Sequence, residues 1–342
     1  MHRHDPRRRR LLGHLLASPA VLPGATALGA GLLGTAPAAR AQAAAYPSRP
    51  ITLVVGYPPG GSTDLTARIV APALARALGQ NVVIENVGGA GGVLGAQKVA
   101  NAAPDGMTLI CGANGEMAVS KLINPGLRFD PLQDFTPIGY IGSQPMLFVA
   151  SQASGMRDLP AFIAHAKSHP GRLSYGSSGI GSVLHLAGEM IKREAGVFVV
   201  HIPYRGVGPL TTDLLSGQLE LGMFVLSSGL PHVRSGKVTA LGITERVRST
   251  LAPDIPAVAE HPATQGVDLS AWYGIWAPKG LDATTTQRLR SAVTEAIADP
   301  EVRARLQAAG TSLPEGERDL ASFQRSEMEK YRRLVAFAKI KQ

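Results

Sequence analysis

The sequence predicts an α/β protein of two lobes with a ligand cleft between them. Three observations carry this. Strand-like and helix-like segments alternate from Ile51 to about Pro145. The same alternation restarts at Met146. Glycine-rich loops follow strands in both units. Such alternation implies mainly parallel sheets flanked by helices. Ligands of open α/β sheets bind at the carboxyl ends of the strands.

In the first unit the expected strands are Ile51–Val55, Asn81–Glu85, Met107–Cys111 and Pro137–Ile141. Helices are expected over Leu65–Leu78, Val93–Ala102 and Glu116–Ile123. Gly79 stands where a helix-ending glycine belongs, and Pro72 is expected to strain the first helix. The second unit begins with strand Met146–Ala150 and helix Leu159–Ser168. Strand Leu173–Tyr175, helix Val183–Ala195 and strand Val197–Ile202 follow. A helix ending at Ser216 leads to strands Leu219–Val225 and Val238–Ile243. Trp272–Ala277 is a strand rich in β-formers. Helices Thr284–Ala298, Pro300–Ala309 and Arg318–Lys339 close the chain. The lobes are expected at 46–145 with 273–342, and at 146–272.

The 342 residues are 45% hydrophobic and 17% charged, enough apolar material for a buried core. Aromatics make up only 5%, few for a protein that grips bases or sugars by stacking. The formal charge of +9 is concentrated at the N-terminus. Without residues 1–41 the chain keeps 28 basic and 24 acidic residues, so nucleic acid is not an expected partner. Residues 1–41 read as an export signal. Arg7–Arg10 form a basic start, Leu11–Ala39 is uncharged apart from a neutral His14, and Ala39-Arg40-Ala41 is a cleavage pattern. The paired arginines also suit the twin-arginine route. A single cysteine, Cys111, excludes an internal disulfide and sits in an apolar strand as core. No spacing suggests a metal site, and no cofactor is expected.

The stretch Tyr57-Pro58-Pro59-Gly60-Gly61-Ser62-Thr63-Asp64 joins a strand to a helix. That order exposes backbone N–H groups at the positive end of a helix dipole, a place for a carboxylate or phosphate. Ser62, Thr63 and Asp64 are also ordinary helix caps. Gly88-Gly89-Ala90-Gly91-Gly92 offers a second N–H nest or a turn that lets lobes pack closely. It lacks the lysine of a nucleotide loop. Gly176-Ser177-Ser178-Gly179-Ile180-Gly181-Ser182 offers hydroxyls and N–H groups ahead of a helix. The G-x-S-x-G elbow of a hydrolase is absent there. His185 lies one turn from Ser182 and suits packing or capping as well as binding. Tyr204-Arg205 places a phenol and a guanidinium at a strand end, for a carboxylate or for a surface salt bridge. Trp272 and Trp276 share a face, as core or as cleft wall.

These motifs together resemble the extracytoplasmic receptors of tripartite tricarboxylate transporters, often called the Bug family. The likeness covers nearly all the chain after residue 41. It rests on Pro47-Ser48-Arg49-Pro50-Ile51, the Tyr57–Asp64 loop, Glu85-Asn86 with Gly89-Ala90-Gly91-Gly92, and Pro104-Asp105-Gly106. It continues in Tyr175–Gly179, Pro203-Tyr204-Arg205-Gly206, Asp213–Gln218 and Ala271-Trp272-Tyr273-Gly274. The resemblance implies a two-lobed periplasmic-binding-protein fold, type II-like, that closes on small carboxylates. It implies binding at the Gly60-Gly61 loop and at Ser177–Ser182, partly through water. The chain departs from the family pattern with Val87-Gly88 after Asn86, with Val225 after Met223-Phe224, and over Glu260–Asp268. These changes remove polar groups near the expected cleft.

The expected function is a periplasmic, non-enzymatic receptor that captures a small organic carboxylate for a tripartite transporter. A sensor of the same fold and a serine hydrolase using Ser177, Ser178 or Ser182 are the alternatives. No base–nucleophile pair at credible spacing supports the hydrolase. The candidate ligand contacts are Tyr57, Gly60, Gly61, Ser62, Thr63, Asp64, Ala90, Asn114, Ser177, Ser178, Gly181, Ser182, His185, Tyr204 and Arg205. Expected partners are the carboxylate and membrane transporter subunits or a sensor protein, with the receptor a monomer. The intact mass of the exported protein should show loss of residues 1–41. A mature N-terminus that keeps Arg7–Arg10 contradicts this.

Overall fold

The computed structural model describes residues 46–316 and 318–338. The expected export signal, and Lys339 at the end of the last helix, lie outside them. Strand β1 (Ile51–Val55) buries four of its five residues, the signature of a strand covered on both faces. It pairs in parallel with β2 (Val82–Asn86) and β3 (Thr108–Ala113). Helix α1 (Ser62–Leu78) packs Ile69, Val70, Ala73 and Leu74 inward and runs through Pro72. Gly79 ends it in the left-handed conformation, its N–H returning to Ala75 O and Arg76 O. Helix α2 (Val93–Ala100) follows β2. A π-turn at Gly115–Val119 leads into the short α3 (Ser120–Ile123).

One strand stands where two are expected. β4 runs unbroken from Phe135 to Ser151. Gly142-Ser143-Gln144-Pro145 reads as a break because of its turn-forming residues. In the fold these residues are extended and their polar groups are satisfied. Ser143 exchanges backbone hydrogen bonds with Ser312. The buried Gln144 donates to Thr311 Oγ1 and accepts from Ser227 N–H. Thr244 Oγ1 accepts from Met146 N–H.

The second half holds α4 (Leu159–Ser168), β5 (Ser174–Ser177), α5 (Val183–Ala195), β6 (Val200–Pro203) and α6 (Val207–Leu215). It continues with β7 (Leu221–Val225), α7 (Leu226–Arg234) and β8 (Val238–Ile243). Helix α7 is absent from the sequence expectation because Gly229 and Pro231 interrupt it. Gly229 is needed there: a Cβ would lie 2.8 Å from Phe224 Cβ and 2.9 Å from Leu147. Strand β9 (Ser270–Pro278) then returns, followed by α8 (Ala283–Ala298), α9 (Pro300–Ala308) and α10 (Leu320–Ala338).

The strand order is β2-β1-β3-β9-β4-β7-β5-β6, with β8 also on β4. Parallel pairs form the centre of each half: β1 with β2 and β3, and β5 with β6 and β7. The crossing strands run antiparallel to them. The first part of β4 pairs with β9, and its last part with β7 and β8. Among the described residues β9 pairs with β3 and β4, and Ala271 and Trp272 face Gln144 and Ser143. No helix among the described residues is long and apolar enough to cross a membrane.

Helix α10 closes this sheet from one side. Trp272 and Trp276 are buried against it, with ring centroids 6.1 Å apart. Trp272 Nε1 donates to Glu327 Oε2 and Trp276 Nε1 to Gln324 Oε1. Both tryptophans are thus core. Gln324 also donates to Met117 O and Pro131 O. Gln324→Ala would leave an indole N–H and two carbonyls unpaired in the core. It should lower the unfolding free energy by about 2–4 kcal/mol in urea titration. A loss below about 0.5 kcal/mol contradicts this role.

Candidate functional site

Four loops meet at the carboxyl ends of the parallel strands: those after β1, β2, β5 and β6. They approach with little side chain between them. A Cβ on Gly91 would lie 2.7 Å from Ile180 O and 3.1 Å from Ser182 N, and Gly91 has φ +65°. Only glycine meets both demands. The Pro58 ring is wedged between Gly88 and Gly206, where added Cβ atoms would come within 2.7 Å and 3.0 Å of it. Gly61 stands opposite Val207.

Two adjoining spaces result. An inner chamber of about 40 Å³ is lined by Tyr57, Gly61, Ser62, Thr63 and Ser178, with Ala113, Val183, Val207, Val225, Ala271 and Tyr273 among its other walls. An outer chamber of about 270 Å³ is bordered by Tyr57, Ala90, Ser178, Tyr204 and Arg205 and by the glycines of both loops. A larger groove of about 510 Å³ involves Tyr140, Arg290 and Arg318 and shares no residue with these loops. The two chambers at the loops, lined by the starts of several helices, form the candidate site.

The remaining expected contacts line neither chamber; most of them hold the loops, and Asn114 ties the end of β3 to β9 and α10. Asp64 accepts from Gly60 N–H at 3.0 Å, Arg68 Nε at 2.9 Å and Asn86 Nδ2 at 2.9 Å. Burial alone would raise its carboxyl, but these bonds keep it below the ordinary range. Asn86 also donates to Tyr57 O. None of Ser62, Thr63 and Asp64 caps α1: its N-cap is Gly61, with no side-chain bond to the first turn. The leading N–H groups of α1 therefore face the chamber without a side-chain cap.

In the second half Ser182 caps α5, accepting from His185 N–H and donating to Gly179 O at 2.8 Å. Gly181 N–H donates to His185 Nδ1 at 3.4 Å. The His185 ring stacks on His201 with centroids 4.1 Å apart. No serine–base pair is expected from the sequence, yet Ser177 Oγ lies 2.7 Å from His201 Nε2. The pairing of β5 with β6 brings these residues together across 24 positions. Tyr204 Oη donates to Asp213 Oδ2, and Asn114 Nδ2 donates to Ser270 O and Tyr331 Oη. Arg205 is exposed at the outer rim and has no hydrogen bond or ion pair among the described residues.

Glu116 is the residue the sequence gives least warning of. It is fully buried, with Oε1 accepting from Ala113 N–H at 2.7 Å. Tyr57 Oη lies 2.8 Å from Gly91 O and 3.0 Å from Glu116 Oε2. A phenol has one proton, so both contacts are hydrogen bonds only if Glu116 is protonated and donates to Tyr57 Oη. The titratable groups around Glu116 are Tyr57, Tyr273 and Cys111, each raised by burial and neutral. No lysine, arginine or histidine pairs with it among the described residues. Tyr273 is the other omission. Its signal was present: on β9 it has the parity opposite to Trp272 and Trp276, and so faces away from α10.

Burial pushes the Glu116 carboxyl up to about 7, from about 4.3 in an unfolded chain. The folded state holds this proton more tightly. Its contribution is full below the unfolded value and is lost as pH rises to about 7. Glu116→Gln keeps both hydrogen bonds and does not titrate. From pH 4.5 to 7.5 the variant should gain on the parent by on the order of 3 kcal/mol in urea unfolding. Parallel pH profiles for the two proteins contradict a neutral buried Glu116.

The profile of the tripartite tricarboxylate transporter family receptors matches residues 66–339. Among curated proteins, BugT of Bordetella pertussis is 37% identical over 261 residues, 76% of this chain and 80% of BugT. The solved periplasmic binding protein BugD superposes with a TM-score of 0.82 at 30% identity, covering 86% of this chain and 99% of BugD. MatC from Rhodopseudomonas palustris, solved with bound malate, gives a TM-score of 0.81 at 33% identity. That match covers 85% of this chain and all of MatC (100%). The protein has the two-lobed α/β fold of these binding proteins, and it belongs to the tripartite tricarboxylate transporter receptor family.

Proposed function

We propose that this protein is a periplasmic receptor that captures a small organic carboxylate between its lobes and presents it to transporter subunits in the membrane. The observation that carries the reading is the uncapped start of α1, facing a chamber that closes against the loops after β5 and β6. A carboxylate entering there exchanges water for backbone N–H groups and the positive end of a helix dipole. The malate bound by MatC and the family of the chain favour the same ligand class. Arg205, unpaired at the outer rim, would draw anions toward the cleft.

Ser177 and His201 do not favour a hydrolase. Ser177 is 0% exposed, so substrate has no access to its hydroxyl. Burial pushes the His201 imidazole down to about 3, too weak a base to activate a serine. The pair reads as a clasp that holds the β5 loop, and Ser177 Oγ bonds Gly179 as well.

Gly61→Val tests the reading. The backbone at Gly61 has φ −81°, which any residue adopts, and an added Cβ would rest 3.7 Å from Val207. The variant should fold normally while its side chain crowds the chamber. Calorimetric affinity for the carboxylate that the parent binds should fall at least tenfold, about 1.4 kcal/mol. Unchanged affinity in a folded Gly61→Val protein overturns the placement of the site.

A further inference from the structure

We infer that Glu116 is a positioning residue for ligand capture: its proton keeps the Tyr57 phenol on Gly91, and the receptor therefore holds its carboxylate more weakly as pH rises. This rests on the carboxylate reading above and adds how the same site is regulated. Glu116 lines neither chamber and acts through Tyr57, which borders both. Tyr57 Oη lies 2.8 Å from Gly91 O and 3.0 Å from Glu116 Oε2. With Glu116 protonated, the phenol donates to Gly91 and accepts from the carboxyl. An ionised Glu116 is the stronger acceptor and draws the single phenol proton to itself. Gly91 O then loses its donor. Gly91 is where the two loops meet, since a Cβ there would lie 2.7 Å from Ile180 O and 3.1 Å from Ser182 N. One proton thus holds or releases the brace at that contact.

The surroundings give an ionised Glu116 no other relief. Its side chain is buried, and a Cβ on Gly92 would come within 2.5 Å of Oε2. A Cβ on Gly115 would come within 2.6 Å of Tyr57 Oη, so the cluster leaves little room for water. The groups facing it are Tyr57 from the β1 loop, Cys111 on β3 and Tyr273 on β9, all neutral. Asp64 on α1 acts on the same Cys111 and is negative. On α10, Tyr331 is bonded to Asn114, and Glu327 to Trp272. Burial holds His185 on α5 neutral. Lys121 on α3 is turned to Pro125 O and Leu127 O, and Lys98 on α2 to Glu85. A bound carboxylate adds one more negative charge to this region. Ligand and ionised Glu116 therefore oppose each other, and by linkage the bound state keeps the proton. The free carboxyl titrates at about 7. Affinity is level below that pH and falls above it, by up to about tenfold per pH unit.

The test is calorimetry on the full exported protein with acetate, malate and adipate, at pH 6.5 and 8.5, where all three acids are ionised. The tightest of them should bind roughly fivefold or more weakly at pH 8.5 than at pH 6.5. Glu116→Gln keeps the carboxamide donor to Tyr57 without titrating, and its affinity should be the same at both pH values. A residue that only filled space would not give a pH profile that this variant flattens. The parent alone supplies a second reading: at pH 7.5, heats in buffers of different ionisation enthalpy should show protons taken up on binding. Affinity that does not fall with pH, an equal fall in Glu116→Gln, or binding without proton uptake overturns the inference and leaves the carboxylate receptor standing. No binding by any of the three acids at either pH overturns the inference together with the reading beneath it.

Discussion

The close approach of two backbones, at Gly91 and at Ile180–Ser182, is the constraint on which the site depends. Side chains there would hold the loops apart and fill the space with their own atoms. Their absence brings N–H groups and helix ends within reach of a small ligand. It also transfers the task of stiffening to residues behind the loops. Asp64 and Asn86 tie the β1 loop, and Ser182 with His185 and His201 ties the β5 loop. Polar residues that look like ligand contacts in the sequence are largely occupied in this way. What lines the inner chamber is mostly backbone and apolar side chain, with the hydroxyls of Ser62, Thr63 and Ser178 and the phenols of Tyr57 and Tyr273.

The electrostatics of the chamber are set by neutral groups. Glu116 lies beneath the Tyr57 phenol, buried and without a cation. An ionised carboxylate there would repel an anionic ligand and would leave the Gly91 carbonyl without its phenol donor. Protonated, it completes a chain from Glu116 through Tyr57 to Gly91, the residue that touches the opposite loop. The state of one buried proton is thus linked to the contact that closes the site. Helix α10 supports the same region from behind. Through Tyr331 and Asn114 it reaches the end of β3, and through Gln324 the π-turn that carries Glu116.

The regular fold was legible because its segments obey simple periods. Leu159–Ser168, Val183–Ala195 and Val238–Ile243 have the bounds that periodicity predicts, and the restart near Met146 marks the second sheet. Two features were hidden by breaker residues. Gly142–Pro145 forms no turn because partners from three segments fix it as strand. Helix α7 survives Gly229 and Pro231 because tight packing on Phe224 favours glycine. The glycine loops were legible as places where backbones approach closely. Which polar residues face inward was not, since that depends on long-range partners. His201 meets Ser177 only through strand pairing, and Glu116 looks like any acid on a helix until its burial is known.

The central claim is that a carboxylate sits at the start of α1, against the second lobe. The most direct measurement is a crystal structure of the protein grown with malate, the acid bound by the solved relative MatC. The account places carboxylate density within hydrogen-bonding distance of the first N–H groups of α1. Density confined to the rim at Arg205 contradicts it.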